Sequence, residues 1–164
     1  MRKALFTLLV LLFGCSAFSQ SMPPIDHVTL ETKEDYRLVE PLVLQVSGYL
    51  LANPVDKNDE VRLNASVFLV RWMANTPDYT FSFEHSVTKY FEKDVNLVGI
   101  YYASACASAI QNKQATDQKS ITLNAIKKFV AYINDPGNHV VITSRLKKLS
   151  EADQNGKLES FLKL

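Results

Sequence analysis

The side chains able to do nucleophilic or metal chemistry are few and far apart. Cys106 is a thiol whose base would be His85 or His139. It lies within an Ala/Ser run, 103–109, in the middle of a helical pattern. Activated thiolates sit at helix N-termini or beside cations, so this setting favours a small, buried, apolar cysteine. His27, His85 and His139 are widely separated, and none has a second His or Cys at metal-ligand spacing. No metal or other cofactor is expected. The acids cluster as Asp56, Asp59 and Glu60, and as Asp78 and Glu84. A glycosidase needs two acids facing each other across a cleft. Acids just ahead of helical patterns are better explained as caps that complement the helix dipole. The 56–60 loop lacks the glycine and the twelfth-position Glu of a calcium loop, and no Gly-rich phosphate cradle is present.

Aromatic residues are the densest feature. Phe68, Trp72, Tyr79, Phe81, Phe83, Tyr90, Phe91, Tyr101 and Tyr102 fall between 68 and 102. Such rings line grooves for sugars, peptides or lipids when Tyr and Trp supply polar handles. They also plug a core where a non-helical segment crosses two helices, the commoner use of aromatics at structural spacing. The residues expected to touch a ligand are Trp72, Tyr79, Phe81 and Phe83. A site-forming enzyme would instead be assembled around His85, Asp78 and Glu84, with Tyr79 beside them.

The elements that must position these residues read as helices. Val39, Leu42, Val43, Val46, Tyr49 and Leu50 share one face of a helix over 35–52, which Pro41 should kink unless it lies in the first turn. A second helix over 59–75 carries Val61, Ala65, Phe68, Leu69, Trp72 and Met73, capped from Asp56, Asn58 or Asp59. The 79–83 run alternates aromatic and small polar residues, the period of an extended segment with one buried face. A short helix over 86–93 follows. The helix over 96–112 has a second half built of small side chains, which let neighbours approach closely and place it at the bundle centre. Helices over 120–134, 141–152 and 157–164 complete the chain, separated by Asp135-Pro136-Gly137-Asn138 and Asn155-Gly156. The expected fold is all-α, an irregular antiparallel bundle of five longer and two or three short helices, with one short extended aromatic segment. Its single domain spans 35–164. An extended lead-in over 20–34 precedes it, with a short strand at 27–30.

Residues 1–19 follow the pattern of an export signal. Arg2 and Lys3 precede an apolar stretch over 4–13, too short for a bilayer span of about 20 residues. Ala17 and Ser19 supply the small side chains of a cleavage site before Gln20. A rival reading acylates Cys15 within Leu12-Phe13-Gly14-Cys15, although Phe13 is bulky where a lipobox holds a small residue. No transmembrane span is expected elsewhere. Cleavage removes two of the 18 basic residues and none of the 17 acidic ones, leaving a near-neutral chain with no electrostatic case for nucleic acid. It also leaves Cys106 without a partner for a disulfide.

Asn53-Pro54-Val55-Asp56 and the string Phe68-Leu69-Val70-Arg71-Trp72-Met73-Ala74-Asn75-Thr76-Pro77-Asp78-Tyr79-Thr80-Phe81 resemble small exported helical proteins of Bacteroidetes-type bacteria. The resemblance implies an exported location and helical content, but no chemistry. Val98, Gly99 and Tyr102, then Ala125, Phe129, Tyr132 and Pro136, echo a tetratricopeptide hairpin. The gap between Tyr102 and Ala125 is too long for that motif's period of about 34 residues. The leading expectation is an exported, non-enzymatic binding or interaction module, periplasmic or extracellular, for a ligand or protein partner the sequence does not name. An enzyme, or a tetratricopeptide-like interaction or envelope assembly protein, is the alternative.

Overall fold

Helix starts are written into the sequence as Asp and Thr, whose side chains accept from the free N–H groups of a first turn. The structure is a computed structural model that describes residues 21–56, 58–112 and 117–164. The export signal expected over 1–19 lies outside them. Thr32 forms a capping box with Asp35 and opens α1, Lys33–Leu38. Asp59 accepts from the Val61 and Arg62 amides and opens α3, Glu60–Asn75, which follows α2, Glu40–Ala52. After α4, His85–Thr88, Asp94 caps α5, Val95–Gln111. Asp117 caps α6, Gln118–Asn134, and Thr143 caps α7, Ser144–Gln154. Helix α8, Leu158–Leu162, closes the described chain.

Stops are equally local. At the end of α7 the Lys157 amide donates to Ala152 O at 2.8 Å and the Gly156 amide donates to Asp153 O at 2.9 Å. This is a Schellman closure, and Gly156 adopts the positive φ of 64° that it requires. Pro41 resolves the expected kink by a break. Val39 separates α1 from α2, so Pro41 falls in the first turn of α2, where a missing N–H costs no helical bond.

The fold is all-α, with five helices of eleven residues or more packed as a bundle around α5. Helices α2, α3 and α6 all pack on α5, and α7 packs on α6. From Ala103 to Ile110 every α5 residue is buried, so the helix has no solvent face over that stretch. A helix apolar or small on all sides can be satisfied only at the centre of a bundle. Gly99 marks one such approach: a Cβ built there would overlap the Ser66 hydroxyl and lie 3.2 Å from Ser66 Cβ.

Three expectations need correction. The helix expected over 141–152 starts only at Ser144. The 27–30 segment is not a strand; Val28 and Leu30 pack against the core from irregular backbone. The short helix expected over 86–93 is limited to a single turn, and 89–93 continue as hydrogen-bonded turns. The Phe91 amide donates to Thr88 O at 3.0 Å and the Asp94 amide to Phe91 O at 3.0 Å, tightening the chain so that Asp94 can cap α5.

The Gly99 contact gives a direct test. Gly99→Val should destabilise the chain by about 1–3 kcal/mol through overpacking. In a Ser66→Ala background part of that loss should return, read as a coupling energy from urea unfolding of the four proteins.

Candidate functional site

Trp72 is fully buried, and its indole Nε1 donates to Tyr36 O at 2.9 Å. It therefore ties α3 to α1 and offers no surface to a ligand. Tyr79 and Phe81 pack on its ring at centroid distances of 5.8 and 6.0 Å. The period-two expectation for 79–83 then fails at its end. Ser82 is buried, while Phe83 is 47% exposed and meets the edge of Tyr102 at 6.0 Å. The physical reason is Tyr101, whose buried hydroxyl donates to Ser82 O at 2.8 Å and turns that residue inward. Of the four expected contact residues, Trp72 is thus core, Tyr79 and Phe81 are half-buried against it, and only Phe83 is exposed.

The scattered acids and histidines are held by separate partners. Arg37 donates from Nε and Nη2 to both oxygens of Asp78, at 2.7 and 2.9 Å. This bidentate hydrogen bond keeps the Asp78 carboxyl below the usual carboxylate range. His85 is exposed, with Nδ1 3.3 Å from Glu92 Oε2. Glu84 accepts from the Ser86 hydroxyl at 3.4 Å. No hydrogen bond or ion pair joins Asp78, Glu84 and His85 among the described residues. His27 and His139 are exposed. No group of three or more His, Cys, Asp or Glu placed to hold a metal occurs among the described residues. Burial pushes the Cys106 thiol far up, and pushes the Tyr79 hydroxyl up to about 12 with help from Glu40.

A larger open concavity among the described residues lies elsewhere, between the 89–94 turns and the start of α7. Arg145, in the first turn of α7, fixes the two walls by donating from Nη1 to Lys89 O at 3.0 Å. A cavity of about 540 Å³ opens on one side of this bridge, toward Val141 and Leu146. An adjoining cavity of about 590 Å³ opens toward His85 and Phe161. Lys89, Tyr90, Lys93 and Arg145 line both. The Tyr90 ring packs on Phe161 at 5.6 Å, and Lys89 Nζ sits 5.1 Å from the Tyr90 ring centroid. Val141 is 80% exposed at the rim.

The rim carries more cation than anion. Lys89, Lys93, Arg145 and Lys148 line the two cavities, and none is in an ion pair among the described residues. The nearby acids are engaged, Glu92 with His85 and Asp94 with the Asn96 and Leu97 amides. The four cations come from two segments far apart in sequence, the 89–94 turns and α7, which is why their spacing carried no signal. The one legible clue was the apolar run Val140-Val141-Ile142. The sequence pattern places it at the start of a helix, but α7 begins only at Ser144 because Thr143 takes the capping position. The run is left outside the helix, with Val141 and Ile142 exposed.

Comparison of the chain with known protein families, with curated proteins and with solved structures returned no match. The chemistry of the site must therefore be read from its own residues.

The placement of Cys106 is checked by thiol labelling at about pH 8, near the ordinary thiol range. In the folded chain Cys106 should stay unmodified, and urea unfolding should expose it to complete reaction, with the site mapped by mass spectrometry. Rapid labelling of the folded chain would contradict its burial.

Proposed function

We propose that this chain is an exported, non-enzymatic binding module whose partner seats in the groove between the 89–94 turns and the start of α7. The observation that carries the reading is the rim of Lys89, Lys93, Arg145 and Lys148, in excess over the two lining carboxylates Glu92 and Asp94, around an apolar floor that includes Tyr90 and Phe161. Unpaired cations beside apolar surface are a poor use of stability and a good use of recognition, because rim charges steer and select partners. Cavities of this size are typical of binding clefts. The separate engagement of Asp78 by Arg37 and of His85 by Glu92 supports binding over catalysis.

Export rests on the Arg2-Lys3 start, the apolar stretch over 4–13 and the small residues Ala17 and Ser19. No described helix is long and apolar enough to cross a membrane.

Expression of the full chain in a Gram-negative host, with a C-terminal tag, tests export. The expected product is a processed protein beginning at Gln20 and recovered from the periplasm or the medium. An acylated Cys15 terminus would replace release by anchoring, and an intact cytoplasmic chain would sink the export reading. The processed protein is then screened by thermal shift against acidic and basic peptides, oligosaccharides, fatty acids and nucleotides. A ligand at a hundred times its dissociation constant stabilises by about 2.7 kcal/mol, a shift of several degrees. A hit that disappears in the exposed-site variant Lys93→Glu/Lys148→Glu supports the groove. A flat screen, or a hit indifferent to both substitutions, overturns it.

A further inference from the structure

We infer that the occupant of this groove is an extended acidic peptide segment of a partner protein, carrying apolar side chains between its carboxylates. The inference rests on the binding reading above and specifies its ligand. The first ground is the spread of charge. Lys89, Lys93 and Arg145 border both cavities and Lys148 lies in the one toward Phe161, against one carboxylate in each, Asp94 and Glu92. A single-headed anion would meet one or two of these cations. A chain with carboxylates at intervals meets all four, and multiple charge pairs across a rim give orientation as well as attraction.

The floor decides what kind of anionic chain fits. One face of the Tyr90 ring is covered by Lys89 Nζ, and Phe161 packs against the same ring. Little ring face is left for stacking a sugar, so an acidic polysaccharide gains little beyond charge. Val141, 80% exposed and lining the first cavity, offers apolar contact at the rim instead, with exposed Ile142 next to it in sequence. Leu or Phe side chains of a peptide would cover them, burying apolar area on both partners.

The backbone points the same way. Residues 140–142 are non-helical, and their amides donate to no partner among the described residues. An apolar segment with free backbone donors can pair with an extended peptide by main-chain hydrogen bonds, while pockets on alternate side chains give selectivity. A bilayer surface would take the same basic and apolar groups, but it has no backbone to complement those amides and cannot follow a concave floor.

The test is fluorescence anisotropy on the processed protein with a short fluorescein-labelled peptide of alternating Glu and Leu. Peptides alternating Lys with Leu and Glu with Ser serve as controls for charge and for apolar anchors. The Glu/Leu peptide should bind at least about tenfold more tightly than either control, and added salt should weaken it. Lys93→Glu/Lys148→Glu and, separately, Val141→Asp should each weaken binding by about tenfold or more. All three positions are exposed, so the melting temperature of each variant should match that of the parent, which separates lost binding from lost fold. Equal binding of the Lys/Leu peptide, or binding unmoved by these substitutions, overturns the inference. So does preference for phosphatidylglycerol vesicles or polygalacturonate over the peptide. If the Glu/Leu peptide fails while another ligand is lost on Lys93→Glu/Lys148→Glu, the groove stands and the acidic peptide falls. If nothing binds, both fall together.

Discussion

Close helix approach at α5 is the constraint on which the bundle depends. Between Ala103 and Ile110 this helix has no solvent face, and its side chains are Ala, Ser, Cys and one Ile. Residues this small bring neighbouring backbones together and leave few directions for a larger substitution to relax. The cost is visible in the hydroxyls of Ser104 and Ser108, buried without hydrogen-bond partners among the described residues. An unpaired buried hydroxyl opposes folding, and nothing in the packing around α5 accounts for Ser rather than Ala at these two positions.

Around that centre, long polar-tipped side chains reach across to loop and helix-end carbonyls. Trp72 holds Tyr36 O, Tyr101 holds Ser82 O, and Tyr132 holds Asn53 O at 2.8 Å. Buried Arg62 donates to Asn53 O and Leu50 O, meeting the negative end of α2 with a positive charge. The Tyr101 bond pins an irregular segment to a helix, and the others tie one helix to another or to its end. Of the aromatic concentration between 68 and 102, Trp72 and Tyr101 are spent on this pinning, while Tyr90 lines the groove. The exposed exception, Phe83, is displaced outward by the same bond that draws Ser82 in.

The groove is a by-product of where the helices stop. Helix α4 ends after one turn, so 89–94 must double back before Asp94 can cap α5. Helix α7 starts late because Thr143 caps it, which leaves 140–142 irregular beside the turns. Arg145 then bridges the two walls through Lys89 O. The 89–94 turns carry Glu92 and Asp94 as well as Lys89 and Lys93, and α7 adds Arg145 and Lys148, so the two walls are held by the core beneath and by the Arg145 bridge, exposed charge contributing little in water.

Periodicity, caps and breakers are local, and they were legible. The five long helices, the cap at Asp59, the stop at Asn155-Gly156 and the central position of the small-residue helix all follow from residues within a few positions of each other, whereas the Thr143 cap was missed and the pattern starts the last long helix too early, at 141. Contacts between distant residues were not legible. The burial of Trp72 depends on a carbonyl 36 residues away, and the inward turn of Ser82 on a hydroxyl 19 residues away. The groove joins a turn near 90, a rim near 141 and a ring at 161, none of which shares a pattern with the others. Hydrogen bonds within a turn are encoded where they form. Which side chain meets which carbonyl across the core is settled only when the helices pack, because a pattern of apolar spacing specifies a face and not its neighbour.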